Sequence, residues 1–573
     1  MNFRQYYEEE LSHLRDTGRQ YAEKHPKLAP FLGKAATDPD VERLLEGFAF
    51  LTAKLWHKVD DSLPEISYDL MNMIAPQYMT TQPSATILAF EPAEHFQRLD
   101  QIIKKDTVIE GSKNGMRYWF KTVYDTQVQP IKIVDIDMQR QDQQLKFNIH
   151  FQAHSGVSCD QLDLSKLRLY LSGDLKRSYL LYYALLNRLQ AVSLSCGSQE
   201  IRCPQVNIKP VGLAQDELLL SSLRLPYRKQ HLLQELFSFP EKFMFVDVTG
   251  LPNLQTWKGK NQFTLSLTLD LPLHLKFKAS SDMVRLHCTP LINLFEMSAV
   301  PIRRNQQQVR YPVLLDDKRY GLCGVAQVKQ VTGWTEGSER AQVYHPMASF
   351  QQNSQKLQDI YQVQMQPGKI HKMPRHYLVF PQTFQANALN QYETVSTEVL
   401  AYQLQVSEEL GTGDIQSPLD QKDTALRYVN VTGLSLPVFP PLEGQFHWQL
   451  VATMASAFQG LVDVGHIKRL INTYHFAAPE NLQSLAMAHQ LSESIKVLDL
   501  KALERVHKGH VVRGNKTVIT LQESAFVNIG EMYLFGTLLN AILQESAAMN
   551  SFNEVELVGL EAGGGLSWPT QFP

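Results

Sequence analysis

Histidines in the last third of the chain are the first candidates for chemistry, because imidazole binds zinc and exchanges protons near neutral pH. They are His447, His466, His475, His507 and His510. A zinc protease needs the pattern H-E-x-x-H on one helix, and the sequence contains none. No cysteine or carboxylate accompanies these histidines at the spacing of metal ligands. We therefore expect no metal site, and interpret them as dispersed surface or core residues.

Neighbouring carboxylates could in principle serve as a general acid and base. The pairs Asp60-Asp61 and Asp316-Asp317 are adjacent in sequence, and adjacent side chains point apart on a helix or a strand. Gly411-Thr412-Gly413-Asp414 lacks the lysine of a phosphate-binding loop, and there is no G-x-S-x-G nucleophile motif. We expect no catalytic residue and no cofactor. An enzyme whose catalytic residues lie far apart in sequence remains an alternative.

Length and charge narrow the class of protein further. The 573 residues are too many for one hydrophobic core and predict several domains. A net charge of −3 argues against a nucleic-acid-binding protein, which needs a basic surface. Five cysteines without a C-x-x-C pair are typical of a reducing compartment. The start of the chain lacks an apolar signal segment, and the longest apolar runs are shorter than the roughly 20 residues that cross a bilayer. We expect a cytoplasmic protein without membrane insertion.

The elements at the start of the chain read as helices. Asp38 and Pro39 suit a helix start, and Leu63-Pro64 suits its end. Between them, apolar residues recur at steps of three and four and form one stripe, which contains Val41, Leu44, Phe48, Leu51 and Leu55. Gly47 should cost this helix about 1 kcal/mol relative to alanine. A backbone that packs closely against it would be one reason for a glycine there.

After residue 80 the pattern changes to strands with occasional helices. Gln262 to Leu269 alternates polar and apolar residues, which predicts a half-buried antiparallel strand. Helices are predicted over 174–192, 446–458, 464–474 and 531–548, and a linker over 411–422. The fold class is therefore α+β with several domains. We predict a helical bundle over 1–80, β-rich domains over 81–240 (with one helix) and 241–430, and an α+β domain over 431–573.

Several different short sequence blocks, spread over almost the whole chain, follow one another in the order that is found in one protein family. They are His25-Pro26-Lys27, residues 38–50, Pro76-Gln77-Tyr78, residues 242–252, residues 290–295, Arg513-Gly514, residues 533–536 and Asn550-Ser551-Phe552. In this order the blocks resemble the TssF family (also called VasA or ImpG). Its members are baseplate subunits of bacterial type VI secretion systems.

The resemblance implies a structural role without bond chemistry. In this family two TssF copies join one TssG, and TssK and TssE complete a wedge. Six wedges surround the VgrG hub and template the contractile sheath. The resemblance thus implies these partners, including a second copy of this chain. It also implies docking at the inner-membrane complex through other baseplate subunits. The alternatives are a multi-domain enzyme without a recognisable motif and a β-rich ligand-binding protein.

Two apolar surfaces are candidate partner interfaces. The first is the stripe of Val41, Leu44, Phe48, Leu51 and Leu55, which we expect to join a helical bundle with TssG or with the second copy. The second lies on the C-terminal helix and consists of Met532, Phe535 and Leu539. Either set could instead be core of this chain, because apolar periodicity alone does not separate a core face from an interface.

Overall fold

The computed structural model describes most of the chain and divides it into two compact units, Met1–Met79 and Thr80–Pro573. The described residues are 7–8, 10–17, 39–54, 71, 79–99, 101–141, 144–221, 229–254, 257–272, 280–305, 308–316, 321–335, 341–347, 359–368, 373–381, 393–416, 425–440, 442, 463–475, 482–545, 551–561 and 564–570. They form a strand-rich mixture of helices and mainly antiparallel sheets.

The described part of the first unit is helical. Helix α1 covers residues 10–17, and helix α2 covers residues 39–54, where the apolar periodicity predicts a helix. The guanidinium of Arg15 on α1 lies 2.7 Å from the carboxylate of Glu42 on α2. Asp38 and the end of the predicted second helix lie outside the described residues. The predicted bundle over 1–80 therefore remains a prediction.

The described part of the second unit contains five longer helices. They are α3 (Leu175–Asn187), α4 (His231–Ser238), α5 (Val464–Tyr474), α6 (Leu482–Ser494) and α7 (Ile529–Glu545). Asp463 caps α5 by accepting the N–H of His466 at 2.8 Å, and the helix has the predicted bounds. Helix α3 ends earlier than predicted because the chain enters a strand at Leu189. The predicted helix over 446–458 lies outside the described residues.

Strands are the most common element in the described part of the second unit. The first fourteen are β1 (Ala85–Pro92), β2 (Gln101–Ile103), β3 (Val108–Lys113), β4 (Met116–Thr122), β5 (Thr126–Val128), β6 (Ile131–Gln141), β7 (Gln144–Ala153), β8 (Lys166–Leu171), β9 (Leu189–Cys196), β10 (Gln199–Arg202), β11 (Asn207–Pro210), β12 (Phe245–Thr249), β13 (Gln262–Asp270) and β14 (Val284–Arg285).

The remaining strands follow in the second half of the chain. They are β15 (Cys288–Ile292), β16 (Phe295–Ser298), β17 (Ile302–Arg304), β18 (Arg310–Pro312), β19 (Cys323–Thr335), β20 (Gln342–Pro346), β21 (Ile360–Gln366), β22 (Arg375–Val379), β23 (Glu393–Gln403), β24 (Leu426–Asn430), β25 (Ile495–His507), β26 (His510–Leu521), β27 (Ser551–Gly559) and β28 (Gly565–Ser567).

These strands form sheets of different sizes. Two five-stranded sheets have the orders β24-β1-β15-β4-β3 and β10-β9-β13-β7-β6. A four-stranded sheet runs β11-β12-β8-β14, and β2 pairs with β5. An eight-stranded sheet runs β16-β23-β19-β20-β21-β22-β18, with β17 also on β23. The C-terminal sheet has the order β25-β26-β27-β28, in which β26 and β27 are parallel.

Local sequence patterns predicted several of these elements correctly. Strand β13 lies between β7 and β9 and buries Phe263 and the alternating leucines, as its periodicity predicts. Asn114 and Gly115 turn the β3–β4 hairpin with φ of 53° and 79°, the backbone that Asn-Gly favours. The predicted linker over 411–422 is wrong for its described part, because Ile415 is fully buried and its N–H is bonded to Asn430.

The predicted domain boundaries after residue 80 are wrong. Strands β7 and β13 lie on opposite sides of the boundary at 240/241, yet they pair along their whole length. Strands β8 and β12 cross the same boundary in another sheet. Helix α7, from the predicted C-terminal domain, packs against α3 from the first β-rich domain. Pairing between distant segments therefore joins residues that composition alone would separate.

The contact between α3 and α7 is close because Gly530 has no side chain. A β-carbon at this position would overlap the carbonyl oxygen of Tyr179 on α3. We expect Gly530→Ala to destabilise the second unit by about 1–3 kcal/mol, since the two backbones must separate. Thermal unfolding of the full chain measures the effect. Gly433→Ala is the control, because its β-carbon meets no atom within 4 Å. Equal midpoints for both variants would contradict the close contact.

Candidate partner interface

Helix α2 presents an apolar face to solvent. Leu44, Phe48 and Leu51 are 65%, 60% and 59% exposed, whereas Ala49 and Ala53 on the opposite side are fully buried. Val41 is partly buried, and Leu55 lies outside the described residues. The small residues of α2 are therefore buried, and the large apolar residues on its opposite side are exposed. Exposed apolar side chains that cluster in this way are typical of a protein–protein contact.

Gly47 lies on this exposed face, three residues after Leu44 and four before Leu51. A β-carbon at Gly47 would meet no atom within 4 Å, so among the described residues no backbone packs against it. The expectation that another backbone packs closely against this glycine is met by no described residue of this chain and stays a prediction. The glycine instead leaves a notch between large side chains, into which the backbone of a second helix could fit.

The second predicted surface is core. Met532, Phe535 and Leu539 on α7 are 3%, 1% and 0% exposed. Their helix packs against α3 and β27, and its Tyr533 ring stacks on Trp568 at 5.2 Å. The structure thus shows the intramolecular alternative for these three residues. Helix α7 is buried on every side from Gly530 to Leu543, so its sequence carries no polar face that could have revealed the packing.

The residues first considered for chemistry do not converge. Among the described residues, no group of three or more histidine, cysteine, aspartate or glutamate side chains could hold a metal ion. His507 and His510 face each other across the β25–β26 turn, and the ring of His475 packs on Phe237. Asp414 accepts the N–H of Gly411 and pairs with Lys113 at 2.7 Å, which closes that loop. His447, Asp60 and Asp61 lie outside the described residues.

A cavity of about 190 Å³ lies between β2, β5, β8 and the start of β15. Its lining includes His287, which has a φ of 54° and whose Nε2 accepts the N–H of Gln129 at 3.2 Å. Burial, with a smaller contribution from the charge of His154, lowers the pKa of His287 to about 3. The folded chain therefore keeps this ring neutral. Its Nε2 serves as a hydrogen-bond acceptor for the backbone, which is a structural use of the ring and not that of a catalytic base.

The neutral His287 predicts a pH dependence of stability. Its pKa is about 6.5 when unfolded, so between pH 6.5 and 3 the unfolded chain binds a proton that the folded chain does not. The contribution of the neutral ring to the free energy of unfolding is fully present above pH 6.5. It falls by about 1.4 kcal/mol per pH unit between pH 6.5 and 3. Asparagine also tolerates positive φ, so His287→Asn should remove this part of the pH dependence of stability without straining the backbone. The denaturant midpoints of the unmodified chain and of the variant, each at pH 7 and pH 5, test this prediction. An equal loss of stability in the two proteins would contradict it.

A buried ion pair in the second unit has no signal in the local sequence. The ammonium of Lys242 is fully buried and bonded to the carboxylate of Glu235, which also accepts the N–H of Leu219 at 2.7 Å. Burial lowers the pKa of Lys242 and raises the pKa of Glu235. Glu235 is on α4 and Lys242 follows seven residues later, a spacing that gives no local signal. The pair joins α4 to the segment that leads into β12.

Within the described part of the chain, no helix is both long and apolar enough to cross a membrane. Two solved structures share the fold. One is the TssK-TssF-TssG baseplate subcomplex of the type VI secretion system, with a chain at TM-score 0.74 and 25% identity that covers 92% of this chain and 98% of its own length. The other is the baseplate complex from the type VI secretion system, at TM-score 0.62 and 24% identity, with 99% of both chains covered. The fold is thus one found in secretion-system baseplates.

Sequence comparison gives the family. The model of the family described as "Type VI secretion system, TssF" matches residues 1–572. A curated relative from Pseudomonas aeruginosa, type VI secretion system component TssF1, is 25% identical over 612 aligned positions, which cover 98% of this chain and 97% of the relative. The chain belongs to the TssF family of the type VI secretion system.

Proposed function

We propose that this chain is a structural subunit of the type VI secretion baseplate wedge and performs no bond chemistry. It would assemble with TssG, a second copy of itself, TssK and TssE around the VgrG hub, and template sheath polymerisation. The observation that carries the proposal is the exposed apolar face of α2, in a chain of the TssF family. A related chain is part of a subcomplex with TssK and TssG, which supports TssG and TssK as partners of this chain.

The apolar face of α2 is the surface we assign to TssG. Leu44, Phe48 and Leu51 would bury their exposed area against an apolar helix, and Gly47 would let the two backbones approach. The first unit would thereby complete its helical bundle with residues of the partner. Such a shared bundle would account for the exposure of the large side chains of α2 in the isolated chain. The stripe extends in sequence to Leu55, which would lengthen the contact by one turn.

The mechanism of such a subunit is geometric. Its interfaces must fix the arrangement of the wedges and must rearrange when the baseplate fires. We place it in the cytoplasm, docked at the inner-membrane complex through other baseplate subunits. Two copies around one TssG would put the same α2 face in two environments. An apolar face suits this use, because apolar contacts lack direction and adapt to different partners more readily than hydrogen bonds do.

Co-expression with TssG and TssK tests the proposed function. We expect one complex to purify through a tag on TssG. Its mass should correspond to a stoichiometry of two copies of this chain for each TssG. A chain recovered as a stable monomer that ignores TssG would contradict the proposal. The enzyme alternative would instead require turnover by the isolated chain.

A further inference from the structure

The β25–β26 hairpin is longer than the rest of its sheet. Lys508 and Gly509 form its two-residue turn with φ of 48° and 83°, and β27 joins β26 only from Arg513 onward. The tip therefore projects beyond the parallel pair. Strand β25 has 13 residues, and almost all of those from Lys496 to Val506 are exposed.

The outer edge of β25 is available for pairing. It is the last strand in the order β25-β26-β27-β28, and among the described residues no other strand bonds to its outer side. Long exposed edges of this kind attract further strands, and proteins usually shorten or cover them. Leu500 lies at the middle of this edge and is 45% exposed. A strand that another chain can extend is thus present in the folded protein.

The hairpin turn determines which backbone groups face outward. In a two-residue hairpin the residues that flank the turn, here His507 and His510, exchange both of their hydrogen bonds. Odd-numbered residues of β25 therefore direct their N–H and C=O groups toward β26. Even-numbered residues, Leu498, Leu500 and Ala502 among them, direct theirs toward the open edge. An incoming strand must bond to this even-numbered set.

We infer that the edge of β25 pairs in antiparallel orientation with the same edge of a second copy of this chain, centred on Leu500. In this register Leu500 faces its own equivalent, and Leu498 faces Ala502 of the other copy. The three outward-facing positions then exchange about six backbone hydrogen bonds. Two four-stranded sheets become one continuous sheet with two-fold symmetry.

The charges on β25 select this register. It sets Asp499 of each copy opposite Lys501 of the other, so the symmetric contact contains two opposite-charge pairs. These are non-hydrogen-bonded positions, where side chains of neighbouring strands are closest. Centring the contact on Lys501 or on Asp499 would instead place like charges face to face. Arg505, which lies farther from the centre, is already bound to Glu554 at 3.0 Å.

This pairing supplies a contact for the second copy in the proposed function, but it needs no baseplate partner to form. The two ideas therefore fail separately. A chain that pairs through β25 without binding TssG would overturn the function and leave the pairing intact. A chain that joins TssG without a β25 contact would overturn the pairing alone.

Cysteine cross-linking tests the register in the full chain, alone and co-expressed with TssG. In Leu500→Cys the two Cα atoms would lie about 5.5 Å apart, within disulfide range, so mild oxidation should give a covalent dimer. Ala502→Cys is the matched control, because its equivalents would lie about 14 Å apart and should not link. The native cysteines, all of them buried, give little background. No Leu500→Cys dimer in either preparation, equal linking by Ala502→Cys, or linking to a different polypeptide would overturn the inference.

Charge reversal tests the same contact without cysteine. Asp499→Lys in the Leu500→Cys background would place lysines face to face, and we expect about tenfold weaker dimerisation. Adding Lys501→Asp exchanges the two charges and should restore the cross-linked yield. Both positions are exposed, so neither change disturbs the core. Equal yields from all three proteins would show that the charges do not set the contact, and would overturn the register.

Discussion

Phe48→Asp is expected to abolish recovery of this chain with TssG. Phe48 is at the centre of the exposed face of α2 and is 60% exposed, so the isolated chain should fold normally. In the assembled bundle the aspartate would be buried without a partner, and truncating or charging such an aromatic anchor typically costs more than 2 kcal/mol of binding. The measurement is co-purification through tagged TssG, with circular dichroism of the isolated variant as the check on folding.

Arg43→Asp is the matched control for this experiment. It introduces the same side chain on the same helix, about 100° around the axis from Leu44, at an exposed polar position. We expect this variant to bind TssG as the unmodified chain does. Should Phe48→Asp remain folded and still bind, the α2 face is not the TssG surface. Should both variants fail, the loss reports on the charge of the helix rather than on its apolar face.

Lys242→Met is expected to destabilise the second unit by about 3–5 kcal/mol. The substitution keeps the volume of the side chain but leaves the carboxylate of Glu235 buried without its cation. The remaining N–H of Leu219 cannot compensate for a full charge. Hydrogen exchange of β12, which begins three residues after Lys242, measures the local free energy of opening. Unchanged protection would contradict the importance of the pair.

The double variant Lys242→Met with Glu235→Gln distinguishes the lost charge from lost packing. Glutamine retains an oxygen for the N–H of Leu219 and removes the buried charge. Replacing both members of a buried ion pair is usually near neutral, whereas removing one is costly. We therefore expect the second change to restore most of the protection in β12. Failure to restore it would assign the effect of Lys242→Met to packing.

Sequence patterns correctly predicted those features of the fold that depend only on short segments of the chain. The alternation in β13, the Asn-Gly turn before β4 and the bounds of α5 depend on neighbouring residues, and all agree with the structure. Domain boundaries failed because β7 and β13 pair across more than a hundred intervening residues. Local composition carries no signal for such a pairing.

The two candidate interfaces show the same limit. The stripes on α2 and α7 have similar apolar spacing, yet Phe48 is exposed and Phe535 is buried. Helix α7 is apolar on all sides, which favours a core position, whereas α2 carries alanines opposite its stripe. The small residues opposite the stripe were a usable clue, because they can pack closely against the rest of their unit. The buried Lys242–Glu235 pair had no comparable clue.

The packing of α7 on α3 has a consequence for synthesis on the ribosome. The side chain of Asn528, at the start of α7, donates to the carbonyl of Lys176 across 352 positions. At about 5–20 residues per second, α3 leaves the exit tunnel roughly 20–70 s before α7 is made. Throughout that interval Tyr182 and Tyr183 lack the ring of Tyr533 that covers them in the finished protein. We therefore expect the nascent polypeptide to expose this aromatic surface until α7 has been synthesised, and to need protection from aggregation during that interval.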